Sequence, residues 1–258
     1  MNWFEAIILG LAQGLTEFLP ISSSGHLEIA RSLFGIDTES GLYFTVTVHG
    51  ATVLSTIVVF RKEIMELLKG SMEFRLNNEI NYILKIIVSM IPVGLAGLLF
   101  KKRIEGLFSG NITFVGFMLL ITAFLLLMGH IAKKNNRNIG YFDAFIIGIA
   151  QALAVIPGIS RSGATIATGL MLGNKKEELA RFSFLMVLVP IIGANIIEVL
   201  SGDAPTGDFG LTILLTGFVT AFISGYIACK WMITLVKKSK LFWFALYCLV
   251  IGLICILA

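Results

Sequence analysis

The sequence predicts an all-α polytopic membrane protein: six transmembrane helices plus two re-entrant helix hairpins, arranged as inverted-topology repeats. Composition, the lengths of the apolar runs and an internal duplication carry that reading. Of 258 residues, 57% are hydrophobic and 14% charged, and the mean hydropathy is +0.90. Soluble domains average roughly 45–50% apolar and about 25% charged, so a soluble globular domain is excluded. A disordered, collagenous or coiled-coil chain is excluded too. At about 20 apolar residues per bilayer crossing, the length holds roughly six to eight helices. Residues 1–258 therefore form a single integral membrane domain. The net charge of +4 belongs to basic cytoplasmic loops and does not point to nucleic acid. Cys229, Cys248 and Cys255 are odd in number and form no CxxC, so neither a disulfide framework nor a metal site follows. The N-terminus lacks a basic n-region and a small-residue cleavage site, and no cleaved signal peptide is expected.

In chain order, residues 1–20 and 21–35 are apolar but break at Pro20-Ile21-Ser22-Ser23-Ser24-Gly25. Runs long enough to span follow at about 42–60, 82–100 and 112–131. Residues 140–157 and 159–173 then break at Pro157-Gly158-Ile159-Ser160-Arg161-Ser162-Gly163, and further spans follow at about 179–199, 211–229 and 241–258. Each broken half is too short to cross alone, which predicts a re-entrant hairpin. Non-helical backbone at membrane depth survives where it is buried or lines a cavity.

The two broken regions are related. Shifting residues 10–26 by 138 places them on 148–164 without a gap, and eight of the 17 pairs are identical, among them Gly10/Gly148, Gln13/Gln151, Ser22/Ser160, Ser24/Ser162 and Gly25/Gly163. Repeat one covers about 1–131 and repeat two about 139–258. A hairpin plus three crossings is odd, so the second copy sits inverted. Thirteen Lys and Arg residues fall on the side of the 61–81, 132–140 and 230–240 loops, against Lys101, Lys102 and Arg103 on the other. The first side is then cytoplasmic and both termini face outward. The 200–210 loop, with Asp203, Asp208 and no Lys or Arg, fits the exterior.

Ionisable groups within a membrane domain are costly, and are functional candidates by default. Glu17 lies three residues before Pro20, His26 follows the first break, and Arg161 lies in the second, where the duplication pairs it with Ser23. A carboxylate, an imidazole, hydroxyls and an arginine suit phosphoryl chemistry. Arg grips phosphate oxygens bidentately, Glu17 orients a histidine or holds a divalent ion, and His26 acts as nucleophile or base. Both breaks precede a helix, whose free N–H groups face an anion well. Blander readings exist. Ser/Gly clusters also serve close helix packing, and Glu17 with Arg161 could be a structural ion pair. His49, mid-span beside Thr45, Thr47 and Thr52, is structural or site-lining. His130 sits at an interface, and Lys85, Arg181 and Glu198 snorkel.

The stretches Gln13-Gly14-Leu15-Thr16-Glu17-Phe18-Leu19-Pro20-Ile21-Ser22-Ser23-Ser24-Gly25-His26 and Pro157-Gly158-Ile159-Ser160-Arg161-Ser162-Gly163-Ala164-Thr165 resemble the two signature motifs of the undecaprenyl-diphosphate phosphatase family, also called the bacitracin-resistance protein family. The resemblance implies an enzyme of the bacterial inner (plasma) membrane that removes the terminal phosphate of undecaprenyl diphosphate. That reaction recycles the lipid carrier of cell-wall polymers, at a site opening to the outer side. It implies Glu17 as catalytic carboxylate, Ser23 and His26 as nucleophile or base, and Arg161 as phosphate clamp. Gln13, Ser22, Ser24, Gly25, Ser160, Ser162, Gly163 and Thr165 would line the substrate. A divalent cation, Mg2+ or Ca2+, is implied, with Glu17 as its candidate ligand. The first motif position, often Glu in the family, is Gln13 here, which weakens a metal contact from that residue. An unactivated serine is a poor nucleophile, which favours His26 attack with Ser23 bonding the phosphates. A homodimer is compatible with the sequence. The alternative function is a flippase for undecaprenyl phosphate, since inverted repeats with midplane sites are typical of transporters. A channel would need a relay of acidic groups, of which Glu17 alone is clearly deep.

Overall fold

The computed structural model describes residues 1–36, 41–73, 75, 77–108, 110–133, 136–200, 210–237 and 240–257. Among them the order is α1 (Trp3–Phe18), α2 (Ser23–Phe34), α3 (Gly41–Val59), α4 (Arg61–Ser71), α5 (Asn78–Glu105), α6 (Ile112–Ile131), α7 (Tyr141–Leu153), α8 (Arg161–Met171), α9 (Lys176–Leu200), α10 (Leu211–Lys237) and α11 (Leu241–Leu257). The described residues form no sheet.

Local chemistry sets the boundaries. Asn2 opens α1 with a capping box, its side chain accepting from Glu5 N while Glu5 accepts from Asn2 N. Asn77 and Asn111 cap α5 and α6 in the same way, each accepting from a backbone N–H of the first turn. At the start of α7, Asp143 accepts from Gly140 N, from Arg137 at 2.7 Å and from Asn174 at 3.0 Å.

By length and composition, α5, α6 and residues Leu211–Val236 of α10 can cross a membrane, and the bent pair Phe44–Val59 with Arg61–Ser71 would make a fourth span. The expected run 42–60 therefore does not give way to a loop. Phe60 is buried, the chain turns by 73° and α4 continues, with Lys62 and Glu66 exposed. The charged residues 61–69 form a separate helix after the turn rather than a loop. The run at 241–258 forms the shorter apolar helix α11. Asp203 and Asp208 lie outside the described residues, as do Lys134 and Lys238.

Helix α1 packs along α10 and α7 along α5, while α6 packs along α11 and α3 along α10. Glycines permit the first two contacts. A Cβ on Gly10 would meet Gly217 O at 2.7 Å, and one on Gly148 would collide with Ser89 O. These two glycines are duplicated partners, so the same device seats the first helix of each hairpin. The largest apolar cluster joins both halves: Phe18 meets Phe184 edge-on at 5.8 Å, and Phe60 lies 6.0 Å from Phe184.

Candidate functional site

The two breaks end and restart the chain by one pattern. Ser22 caps α2 and Ser160 caps α8. Each hydroxyl accepts from the glycine N–H three residues on, Gly25 at 3.2 Å and Gly163 at 3.1 Å. Each lies 3.3 Å from the next serine hydroxyl, Ser24 or Ser162. Ser22 holds φ 71, the left-handed region that costs a non-glycine residue free energy. In the second break Gly158 takes that conformation, φ 96, and a Cβ there would meet Met118 Cβ at 2.6 Å. The breaks touch each other: Ser162 Oγ donates to Leu19 O at 3.3 Å.

The residue just after each cap is Ser23 in one break and Arg161 in the other, the pair the duplication aligns. Both converge on Glu17. Ser23 Oγ donates to Glu17 Oε2 at 2.6 Å and Arg161 Nη2 donates to Glu17 Oε1 at 2.9 Å. Gln13 Nε2, one turn back on α1, donates to Oε2 at 3.0 Å. His49 from α3 brings Nε2 to 3.9 Å from Oε2. The carboxylate is buried, and a buried charge is retained where it is paired and hydrogen-bonded. His49 Nδ1 lies 2.8 Å from Thr45 O, which assigns the proton to Nδ1 and turns Nε2 toward the carboxylate.

His26 stands elsewhere. Its Nδ1 is 2.8 Å from Ser22 O and its Nε2 is 2.8 Å from the Tyr247 hydroxyl, with the two rings stacked at 5.6 Å. Among the described residues no hydrogen bond or ion pair joins His26 to Glu17. The expected pairing of these two side chains is thus corrected: His49 occupies the place beside the carboxylate. Ser23 meets α1 through its bond to Glu17, while the His26 ring, one turn on, lies against Tyr247 of α11. Thr165 also turns inward on its own helix, donating to Arg161 O at 2.9 Å and Ser162 O at 3.3 Å. Tyr247 escaped the sequence reading, although it is the single hydroxyl in the 241–258 run. A mid-span position does not say which face His49 serves, so the sequence does not decide between its structural and site-lining roles.

A narrow cleft with about 20 Å³ of free space adjoins the cluster. Glu17, Arg161, Ser162, Thr52, Thr56 and Ser183 line its polar part; Phe18, Val53, Phe184, Val187, Leu188 and Ile191 line its apolar part. The division of polar from apolar lining suits an amphiphile with an anionic head. Among the described residues no three His, Cys, Asp or Glu side chains stand together as a metal cage. One oxygen near Glu17 does await a partner: Gln13 Oε1 is buried and unbonded. The donor set, one carboxylate and one amide oxygen, suits a hard cation that takes its other ligands from phosphate oxygens and water.

The chain resembles known proteins over nearly its whole length. The sequence profile of the family described as bacitracin resistance protein BacA matches residues 6–254. A protein of Christiangramia forsetii named undecaprenyl-diphosphatase is 54% identical over 260 residues, covering 100% of this chain and 98% of its own. One of the same name from Bacteroides fragilis is 52% identical, covering 99% and 98%. Another from Alkaliphilus metalliredigens is 38% identical, covering 100% and 98%.

Proposed function

The chain belongs to the bacitracin resistance protein BacA family, and from that premise and the Glu17 cluster we propose that it is a membrane phosphatase hydrolysing undecaprenyl diphosphate to undecaprenyl phosphate and inorganic phosphate. The observation that carries the mechanism is the hydrogen bond from Ser23 Oγ to Glu17 Oε2, with Arg161 on the other carboxylate oxygen. A hydroxyl hydrogen-bonded to a buried carboxylate is an activated nucleophile with its base in place. The sequence alone favoured His26 because Ser23 lacked an activator; Glu17 supplies one.

The diphosphate head enters between the starts of α2 and α8, where backbone N–H groups and the Arg161 guanidinium face its oxygens. Ser23 Oγ attacks the terminal phosphorus as Glu17 takes its proton. The bond to the bridging oxygen breaks, and undecaprenyl phosphate leaves as an anion that needs little protonation. Water then hydrolyses the phosphoserine, releasing inorganic phosphate and returning the proton to Ser23. His49 beside Glu17, and His26 one turn beyond Ser23, are the proton carriers of the two steps. The apolar wall of Phe184, Val187 and Leu188 receives the first isoprene units. A divalent cation, Mg2+ or Ca2+, would be held by Glu17 and Gln13 Oε1 with the substrate's phosphates. When bound it neutralises the diphosphate charge.

The proposed topology is α3, α5, α6, α9, α10 and α11 as six spans, with α1–α2 and α7–α8 as re-entrant hairpins in inverted repeats. Its support is that exchanging the repeats turns the α1–α10 contact into the α7–α5 contact and leaves α6–α11 unchanged. The charge bias orients the termini outward and the site toward the outer face of the bacterial inner membrane. The flippase reading is not favoured: the relatives bear a diphosphatase name, and binding alone does not call for a serine bonded to a carboxylate.

The test is phosphate release from purified protein in detergent, where no bilayer exists to cross, followed by a neutral denaturing quench, which preserves both phosphoserine and phosphohistidine, and mass spectrometry. Turnover with phosphate captured on Ser23 is expected. Phosphate captured on His26 would overturn the nucleophile assignment, and absence of turnover would overturn the enzyme reading.

A further inference from the structure

Ser183 in α9 is fully buried, yet its hydroxyl has no hydrogen-bond partner. Other buried hydroxyls in the helices bond back to their own turn. Ser55 donates to Ala51 O at 3.0 Å, Thr56 to Thr52 O at 2.9 Å and Ser224 to Thr220 O at 2.7 Å. Ser183 has the same option in Leu179 O and leaves it unused. Among the described residues it is the one buried Ser or Thr hydroxyl without a partner. Such a group destabilises the fold unless a ligand satisfies it.

Its location shows which ligand. Ser183 lines the cleft shared by Glu17, Arg161 and Ser162. Residues 183, 187 and 191 are spaced by four and fall on one helical stripe. Val187 and Ile191 line the same cleft, so the stripe begins with a hydroxyl in the lining that Arg161 shares and continues as an apolar wall for about 12 Å. An amphiphile lying along it has its junction between head and tail at Ser183.

We propose that Ser183 donates its hydroxyl proton to the lipid-proximal phosphate, the one that is retained in the product, and so sets specificity for a prenyl-linked head. The proposal rests on the phosphatase reading for its substrate but on the orphan hydroxyl for its site. Arg161 and Ser23 address the departing phosphate. Ser183 holds the other, and its bond persists in the complex with the monophosphate product.

The experiment compares wild type with Ser183→Ala and Ser183→Cys, using farnesyl diphosphate as substrate and farnesyl monophosphate in a direct binding titration. A lost hydrogen bond to a charged group is worth about tenfold in affinity. Expected is a rise of about tenfold in KM and in the monophosphate Kd, with kcat within threefold of wild type. The melting temperature should be unchanged or higher, because the orphan group is gone. KM and Kd within twofold of wild type in both variants would overturn the proposal. A fall in kcat with unchanged KM would also overturn it, placing Ser183 at the departing phosphate. Ser183→Cys conserves volume and keeps the test open if the alanine variant fails to fold. If wild type itself releases no phosphate, the phosphatase reading fails, while the titration still decides Ser183.

Discussion

The two breaks share a backbone and differ in chemistry. Both use a serine cap, a second serine 3.3 Å away and a glycine N–H closing the cap. They differ at the residue after the cap, Ser23 or Arg161, and that is the residue each sends to Glu17. They also differ in bracing. In the second break Thr122 Oγ1 donates to Gly158 O and accepts from Ser160 N, both at 3.0 Å. The first has Cys248 Sγ at 3.8 Å from Pro20 O, a weak donor, and the His26–Tyr247 contact. A duplicated frame thus keeps what shapes the turn and diverges at the residue that meets Glu17. The tightly braced copy carries Arg161, the proposed clamp; the loosely braced copy carries Ser23, the proposed nucleophile.

The largest expected effect tests the nucleophile side. Ser23→Ala should lower turnover by more than ~10³, and Glu17→Gln by at least ~10², with substrate binding largely kept. Phosphate release at saturating lipid, beside a binding titration, measures both. Normal turnover in Glu17→Gln would make the carboxylate structural and dissolve the contrast between the breaks.

On the clamp side, Arg161→Lys keeps the charge and loses the planar fork. A loss of about 10² in kcat/KM is expected, with the fold preserved by circular dichroism. Near-normal activity would show that a point charge suffices.

A smaller effect separates His26 from its neighbour. His26→Ala should cost ~10² or more in turnover as a proton carrier. Tyr247→Phe, which removes the hydroxyl on Nε2, should cost about two- to tenfold. Equal losses would mean that the pair acts as one unit.

Bracing gives the smallest effect on activity and a clear one on stability. Thr122→Val leaves Gly158 O and Ser160 N without their partner and should destabilise by about 1–3 kcal/mol. Cys248→Ser, at the corresponding contact of the first break, should change the unfolding midpoint in denaturant by less. A larger shift from Cys248→Ser would reverse the assignment of tight and loose copies.

Much of this was legible in the sequence because the signals are local. Apolar runs marked the helices, and the breaks restart at Ser23 and Arg161, inside the Pro/Ser/Gly stretches that announced them. The cost of burying either charge alone marked Glu17 and Arg161 as candidates for one site, and a direct pair between them, which the structure shows, was only the blander of the two readings. What was not legible depends on rotation about helix axes and on packing between distant segments. His49 and Tyr247 reach the hairpin from α3 and α11, and no local pattern fixes the face on which a lone polar residue of an apolar helix will lie. The 73° turn after Val59 was hidden because the sequence continues in good helix formers. Hydropathy marks where an apolar run ends; it does not mark where a helix bends.

The bridge between Glu17 and Arg161 spans 144 residues of sequence. At a synthesis rate of about 5–20 residues per second, roughly 7–30 s separate their emergence from the ribosome. Throughout that interval the first hairpin has a carboxylate and no guanidinium to meet it, and membrane depth is costly for an uncompensated charge. In the topology proposed above, the hairpin would therefore wait at the lipid–water boundary while the three spans α3, α5 and α6 insert after it, and settle when the second hairpin arrives. Insertion order is written into the salt bridge, and a chain truncated before Arg161 should stay susceptible to protease at its N-terminal hairpin.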